Sequence, residues 1–168
     1  MRVYLCGPMT DKTPEEADGW RGHATNRLIL AGFKVSSPMR QKGMLTKNER
    51  MGSDYTKYGN VAELRVQSIF TRDRFDVRHA DFVLANMSEL GVAWNAAGEP
   101  VGIPSIGSDA EIFWSVEWDT PVLLIAPPGN PYELHPFLRA AQNVIRFDTL
   151  DEAIDWLINN ESIYIEEV

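Results

Sequence analysis

The chain has 168 residues, of which 44% are hydrophobic, and its formal net charge is −8. This length and composition fit one compact domain with a hydrophobic core of its own. Phosphate contacts supply most nucleic-acid affinity, so an acidic chain with scattered basic residues argues against a nucleic-acid partner. No apolar stretch approaches the ~20 residues that span a bilayer, and no membrane association is expected. The N-terminus lacks a signal region, which predicts a cytoplasmic location.

Residues that commonly bind metals are few and far apart. Cys6 is the single cysteine, and its place in an apolar run predicts a small buried strand residue. The three histidines (His23, His79 and His135) show no ligand spacing. The chain also lacks a Gly-x-Gly-x-x-Gly motif after its first strand and a phosphate-binding loop with Lys-Ser/Thr. We therefore expect no metal and no cofactor, and neither a dinucleotide oxidoreductase nor a nucleotide triphosphatase.

Short apolar runs alternate with helical patterns along the chain. Strands are predicted over 2–7, 33–37, 81–86, 121–126 and 143–147. Helices are predicted over 14–31, 61–79, 108–118, 131–141 and 150–159, the second of them facing inward through Leu64, Ser68, Phe75 and Val77. Long loops are predicted over 39–60 and 87–106, and loops of this length are usually functional. The alternation predicts one α/β domain over residues 1–168, a five-stranded parallel sheet with helices on both faces in a Rossmann-like or flavodoxin-like three-layer sandwich.

Ligands of such sheets bind beyond the carboxyl ends of the strands. At the end of the first strand, Tyr4 offers a phenol and Gly7 allows close approach of the backbone, followed by Pro8 and Met9. Asn86 ends the third strand and borders the same rim. These residues are expected to contact the ligand.

The sequence PSIGSDAE at 104–111 has the layout of a loop that leads into a helix. Free N–H groups and the helix dipole make such a place suitable for an anionic or polyhydroxylated ligand, with Ser105, Gly107 and Ser108 around it and the Glu111 carboxylate in the first turn. Ser108 and Glu111 also have the spacing of a capping box, in which each caps the other's backbone. The local pattern leaves both interpretations open.

The segment 72–81 is rich in charges, which commonly means a solvated helix face. Asp73, however, lies two helical turns before the third strand and can point toward the cleft, and Asp76 follows one turn later.

Together these stretches resemble the nucleoside 2-deoxyribosyltransferase family and its relatives, the nucleoside 5'-monophosphate N-glycosidases. The matching stretches are YLCGPM at 4–9, RD at 72–73 with AD at 80–81, SIGSDAE at 105–111 and PVLL at 121–124. They occur in the family's order across roughly residues 2–125.

The resemblance implies a homodimer or higher homo-oligomer that acts on a small nucleoside or nucleotide and a free base. Glu111 would be the nucleophile that attacks the anomeric carbon, Asp73 would bind the base and supply or relay its proton, and Tyr4 would hold the nucleophile. Asn86, Ser105 and Gly107 would line the sugar and its 5' end. Gly7, Pro8, Met9, Asp76 and Ser108 complete the expected substrate contacts.

The residue at position 105 bears on the substrate. Transferases of the family often carry an aspartate there, whereas the monophosphate glycosidases carry serine, and this chain has Ser105. A serine at a helix N-terminus can donate to a phosphate, but it also suits a free hydroxyl. Base transfer between 2'-deoxynucleosides and hydrolysis of 5'-monophosphates therefore both stay open, with transfer placed first. A non-catalytic nucleotide-binding module and a purely structural domain are the alternatives from other classes.

Overall fold

Five parallel strands form the central sheet of the computed structural model, which describes residues 1–40, 50–51, 66–94, 96–98 and 100–160. In chain order the elements are β1 (Arg2–Cys6), α1 (Pro14–Leu30), β2 (Lys34–Ser36), α2 (Val66–Arg78), β3 (Phe82–Asn86), β4 (Gly91–Trp94), β5 (Pro100–Ile103), α3 (Ile106–Glu117), β6 (Val122–Ile125), α4 (Pro136–Ala140), β7 (Val144–Phe147) and α5 (Leu150–Asn159). The strand order is β2-β1-β3-β6-β7, and every neighbouring pair is parallel. The predicted α/β sandwich is confirmed.

The central strands are apolar because both faces of the sheet are covered. Side chains alternate along a strand, so Val3 and Leu5 of β1 face α1 and α5, while Tyr4 and Cys6 face α2 and α3. Each face has its own hydrophobic cluster. This alternation places Tyr4, a polar group in a buried strand, on the side of α2 and α3.

Local sequence sets the start of two helices. Thr13 caps α1 and Thr149 caps α5, and in both cases a glutamate three residues later completes a capping box. The predicted bounds of these helices hold to within about one residue.

Several details differ from the sequence-based expectations. The segment 87–106 contains the antiparallel pair β4–β5, so it is not a plain loop. The helix predicted over 131–141 is limited to α4. Helix α2 buries Asp73, Asp76 and Val77 but exposes Ser68 and Phe75, because its inner face carries carboxylates where an apolar stripe was expected.

Two further points concern the extent of the description. Most of the predicted loop 39–60, together with Leu64, lies outside the described residues. Within the described part, no helix is long and apolar enough to cross a membrane.

Candidate active site

A buried hydrogen bond between Tyr4 and Glu111 lies at the centre of the candidate site. The Tyr4 hydroxyl donates to Glu111 Oε1 at 2.7 Å, joining residues 107 positions apart. Tyr4 comes from the middle of β1 and Glu111 from the second turn of α3, and only 7% of Glu111 is exposed. The bond therefore places a carboxylate in the layer between the sheet and helices α2 and α3.

The surroundings of Glu111 work against its ionisation. Burial, and after it the charge of Asp73, raise the pKa of Glu111 to about 7, while the hydrogen bond from Tyr4 and the charge of Arg21 oppose the rise. Burial and the negative charge of Glu111 raise the pKa of Tyr4 well above its usual value, so this phenol stays a donor. Cys6 is also buried, and its thiol donates to the Ser108 carbonyl oxygen at 3.6 Å. A carboxyl group poised near neutral pH is a frequent mark of acid, base or nucleophilic chemistry.

A second buried carboxylate, Asp73, reaches the site from α2. Its Oδ1 accepts from Arg72 Nε at 3.0 Å, and Arg72 Nη2 lies 3.0 Å from the same oxygen. Arg72 also donates to the Pro38 carbonyl oxygen at 3.2 Å. Asp73 is thereby fixed between its own helix and the segment that follows β2.

Asp76 lies one helical turn from Asp73 and is also buried. Its Oδ2 lies 2.5 Å from Arg40 Nη2, an ion pair whose atoms are not aligned as a hydrogen bond. Two carboxylates on α2 are thus each paired with an arginine, Arg72 or Arg40. The alternative interpretation of segment 72–81 as a solvated helix face therefore does not hold for Asp73 and Asp76, which are buried.

The turn after β1 packs tightly against the end of β3. A Cβ on Gly7 would lie 2.8 Å from the Asn86 carbonyl oxygen and 2.9 Å from Trp20, so only glycine fits there. Pro8 is buried and Met9 is half-buried. These residues lie on the predicted rim.

The side-chain oxygen of Asn86 stabilises a local turn. Its Oδ1 accepts from the Ser88 backbone N–H at 3.1 Å and from the Ser88 hydroxyl at 2.6 Å. This oxygen therefore holds the chain as it leaves β3.

The N-terminus of α3 differs from the predicted capping box. The helix begins at Ile106 with Ser105 as its N-cap residue, two positions before the predicted start at Ser108. Glu111 is therefore beyond the capping position and its side chain contacts Tyr4 instead. The Ser108 hydroxyl donates to the Ser105 hydroxyl at 3.0 Å. Because Ser105 makes no side-chain cap bond, the first N–H groups of the helix keep their capacity to bind a ligand.

Tyr132 holds this N-terminus in place. Its hydroxyl donates to Asp109 Oδ1 at 2.5 Å and accepts from the Ser105 N–H at 3.1 Å. A Cβ on Gly107 would meet no atom of the described residues within 4 Å, so these neighbours do not require glycine there. The Ser105 turn is thus half-buried and held by the two hydrogen bonds of the Tyr132 hydroxyl.

Sequence reasoning did not identify Arg21 or Tyr132 as part of this region. Arg21 lies on the buried stripe of α1 with Ala17, Ala24 and Leu28. The sequence signal that could have identified Arg21 is its place on an otherwise apolar helical stripe, since buried arginines are rare unless paired. No comparable local signal marks Tyr132, because both partners of its hydroxyl lie more than 20 positions away.

Two cavities border this region, one of about 200 Å³ and one of about 430 Å³ that Arg72 lines, and neither is lined by Tyr4 or Glu111. The smaller cavity lies beside Asp109 and Tyr132. Across the described ranges, no three His, Cys, Asp or Glu residues are grouped as metal ligands. The buried carboxylates therefore define the candidate site.

Solved structures share this fold. The sequence matches no protein-family profile, and no curated protein is significantly similar to it. The 2-deoxyribosyltransferase of Bacillus psychrosaccharolyticus is 18% identical, with a TM-score of 0.57 over 92% of this chain and 91% of that chain. The CMP N-glycosidase BcmB of Clostridium botulinum is 15% identical, with a TM-score of 0.52 over 94% and 98%. The 2-deoxyribosyltransferase of Leishmania mexicana is 12% identical, with a TM-score of 0.58 over 94% and 97%. At these identities the likeness establishes the fold.

Proposed function

We propose that this chain is an enzyme that cleaves the N-glycosidic bond of 2'-deoxynucleosides and transfers the sugar to a second base. The observation that carries the proposal is the buried Glu111, held by Tyr4 at 2.7 Å and flanked by the second buried carboxylate, Asp73. The fold is shared with enzymes that act on this bond, which supports the same assignment.

Glu111 acts as the nucleophile in this reaction. Cleavage of the bond builds positive charge on the sugar and negative charge on the departing base. The ionised carboxylate attacks the anomeric carbon, the C–N bond breaks with its electron pair going to the base, and a glycosyl ester forms. Tyr4 fixes the attacking carboxylate through its hydrogen bond. The nitrogen of a second base then displaces Glu111 from the sugar and gives up its proton through Asp73, which restores both carboxyl groups to their starting state.

Asp73 binds the base and supplies or relays the proton that the base needs to leave. Proton delivery of this kind contributes roughly 10²–10⁴-fold to the rate. The contacts from Arg72 to one oxygen of Asp73 hold this carboxylate in one orientation. Asp76, Gly7, Pro8, Met9 and Asn86 are assigned to substrate contact as in the resembling family.

Hydrolysis of nucleoside 5'-monophosphates is the second candidate. The hydroxyls of Ser105 and Ser108 lie 3.0 Å apart at the N-terminus of α3, where backbone N–H groups favour an anion. Among the described residues, none has an atom within 4 Å of the position that a Gly107 Cβ would take. This arrangement favours a 5'-phosphate on the substrate. In the hydrolytic reaction, water takes the place of the second base and opens the glycosyl ester.

A panel of deoxynucleosides and their 5'-monophosphates, each with and without a free acceptor base, tests the proposal. We expect a new nucleoside where an acceptor is present if transfer dominates, and free base plus sugar or sugar phosphate if hydrolysis dominates. Binding without turnover by any substrate would instead support the non-catalytic module. Glu111→Ala should abolish turnover, while Glu117→Gln, on the exposed face of the same helix, should not.

Asp73→Asn separates the two carboxylate roles. Natural bases need a proton to leave, so their cleavage should slow steeply, whereas a sugar bearing p-nitrophenol should react with a much smaller loss. Equal losses on both substrates would show that Asp73 has only a structural role with Arg72.

The active form is proposed to be a homodimer or higher homo-oligomer in the cytoplasm. Sedimentation equilibrium of the purified protein measures the oligomeric state directly.

A further inference from the structure

A fully buried arginine lies beneath the turn that borders the candidate site. Only 1% of Arg21 is exposed, although it carries a full charge on the inner stripe of α1. Its Nη2 donates to the Gly7 carbonyl oxygen at 2.7 Å, and its Nη1 donates to the Ala17 carbonyl oxygen. The guanidinium also stacks on Trp20, with its carbon 4.4 Å from the ring centroid. The guanidinium is therefore held between helix α1 and the turn after β1.

The charge of Arg21 is not neutralised by a direct ion pair. Among the residues that the structure describes, no carboxylate lies within salt-bridge distance of it, and its buried Nε has no hydrogen-bond partner. A buried, unpaired charge is costly, and arginine does not lose its proton to escape that cost. The charge must therefore be balanced at longer range.

A short series of contacts leads from Arg21 to the buried carboxylate of Glu111. Arg21 contacts Gly7, the neighbouring Cys6 donates to the first turn of α3, and Glu111 lies one turn further along that helix. The ionisable groups around Glu111 are Tyr4 and Cys6 on β1, Asp73 on α2, which is paired with Arg72, and Arg21 on α1. Of these groups, Arg21 is the cation that forms no salt bridge with a carboxylate among the described residues.

We propose that Arg21 is a positioning residue that fixes the turn after β1 and supplies buried positive charge that favours the ionised form of Glu111. The proposal rests on the proposed function, in which Glu111 is the nucleophile. Burial lowers the pKa of Arg21, and the charge of Glu111 is the largest of the effects that oppose this, which agrees with mutual stabilisation of the two charges. This role accounts for the presence of an arginine on the otherwise apolar inner stripe of α1.

The titration of Glu111 in the full chain tests the proposal. Glutamate side chains are labelled with ¹³C, the Glu111 signal is assigned from its loss in Glu111→Gln, and the pKa is measured by NMR in each variant. In Arg21→Met the pKa of Glu111 should rise by at least about one pH unit, because an opposite charge has been removed from a buried site. The acidic limb of kcat/KM should move upward with it, so that activity at pH 6 falls about tenfold while activity at high pH recovers.

Arg27→Met is the matched control. Arg27 lies on the same helix but pairs with Asp151 and Asp155 at the exposed surface. Its removal should leave the Glu111 titration and the pH profile unchanged. Arg21→Lys keeps the charge but not the planar fork that reaches two carbonyl oxygens, so it should return the Glu111 pKa toward the wild-type value.

Each outcome decides the matter. An unchanged Glu111 pKa in folded Arg21→Met overturns the proposal, whether or not activity falls. If Arg21→Met does not fold, recovery of folding and of the Glu111 pKa in Arg21→Lys supports the role of the charge, whereas failure of both variants to fold shows a purely structural role and overturns it. Wild-type protein that turns over no substrate, yet whose Glu111 titration responds to Arg21, would refute the proposed function while leaving the charge coupling intact.

Discussion

Replacing Glu111 with glutamine should abolish turnover and, above neutral pH, stabilise the fold. Burial and the repulsion from Asp73 raise the pKa of Glu111 from 4.5 to about 7. Between these pH values the folded state binds a proton that the unfolded chain has released, so the stability that this group contributes falls as the pH rises. Below pH 4.5 both states are protonated, and above pH 7 both are ionised with the full cost present.

The size of the effect follows from the two pKa values. A difference between 4.5 and about 7 corresponds to roughly 3 kcal/mol of unfolding free energy, of which about 2.5 kcal/mol develops between pH 5 and pH 8. Glutamine has nearly the same shape, can accept the hydrogen bond from Tyr4 and does not titrate. The unfolding free energy of Glu111→Gln minus that of the wild type should therefore increase by about 2.5 kcal/mol over this range.

Urea unfolding followed by circular dichroism at pH 5, 6, 7 and 8 measures this difference. Titrating groups that do not interact with Glu111 are common to both proteins, so their contributions cancel in the difference. Glu117→Gln serves as the control, since Glu117 is exposed on the same helix and its variant should follow the wild type at every pH. If the difference in unfolding free energy between Glu111→Gln and the wild type stays constant with pH, burial does not raise the pKa of Glu111 to near 7.

Three further substitutions test the neighbouring contacts. Tyr4→Phe removes a hydrogen bond to Glu111, so the acidic limb of kcat/KM should move up by about one pH unit, and an unmoved limb would contradict the role of the phenol. Gly7→Ala should lower the unfolding free energy by about 1–3 kcal/mol in urea titrations, because its Cβ would lie 2.8 Å from a backbone oxygen of β3. Gly22→Ala, whose Cβ would meet nothing within 4 Å, should be neutral or stabilising, and similar behaviour of the two variants would contradict the close approach. Ser105→Asp should lower kcat/KM for a monophosphate at least about tenfold relative to its nucleoside, through repulsion of the phosphate, and an unchanged ratio would remove Ser105 from the site.

Local patterns were sufficient for the layers of this fold. Apolar runs of four to six residues bounded by polar segments indicate strands that are buried on both faces. The alternation of side chains along β1 places Tyr4 and Cys6 on one face of the sheet and Val3 and Leu5 on the other. The carboxyl ends of parallel strands share one edge, so the rim could be predicted before the strand order was known. Burial of Cys6 followed from the same pattern and is confirmed.

The pairing of side chains could not be predicted from local patterns. Ser108 and Glu111 have the spacing of a capping box, and Thr13 with Glu16 forms a real one from the same chemistry. The two pairs differ in where the helix begins. Helix α3 starts at Ile106, two residues before Ser108, so Ser108 is not at the capping position.

The sequence by itself determined the fold class, the rim of the sheet and the residue types on it, because these depend on periodicity and on the chemistry of single positions. Tertiary structure decided which of those residues meet. The bond from Tyr4 to Glu111 spans 107 positions, and the turn at Gly7 touches β3 only because β1 and β3 are neighbours in the sheet. The burial that raises the pKa of Glu111, and the cation at Arg21 that opposes it, arise from the packing of four elements distant in sequence. Desolvation and charge interactions depend on distance in space, and no local pattern encodes that distance.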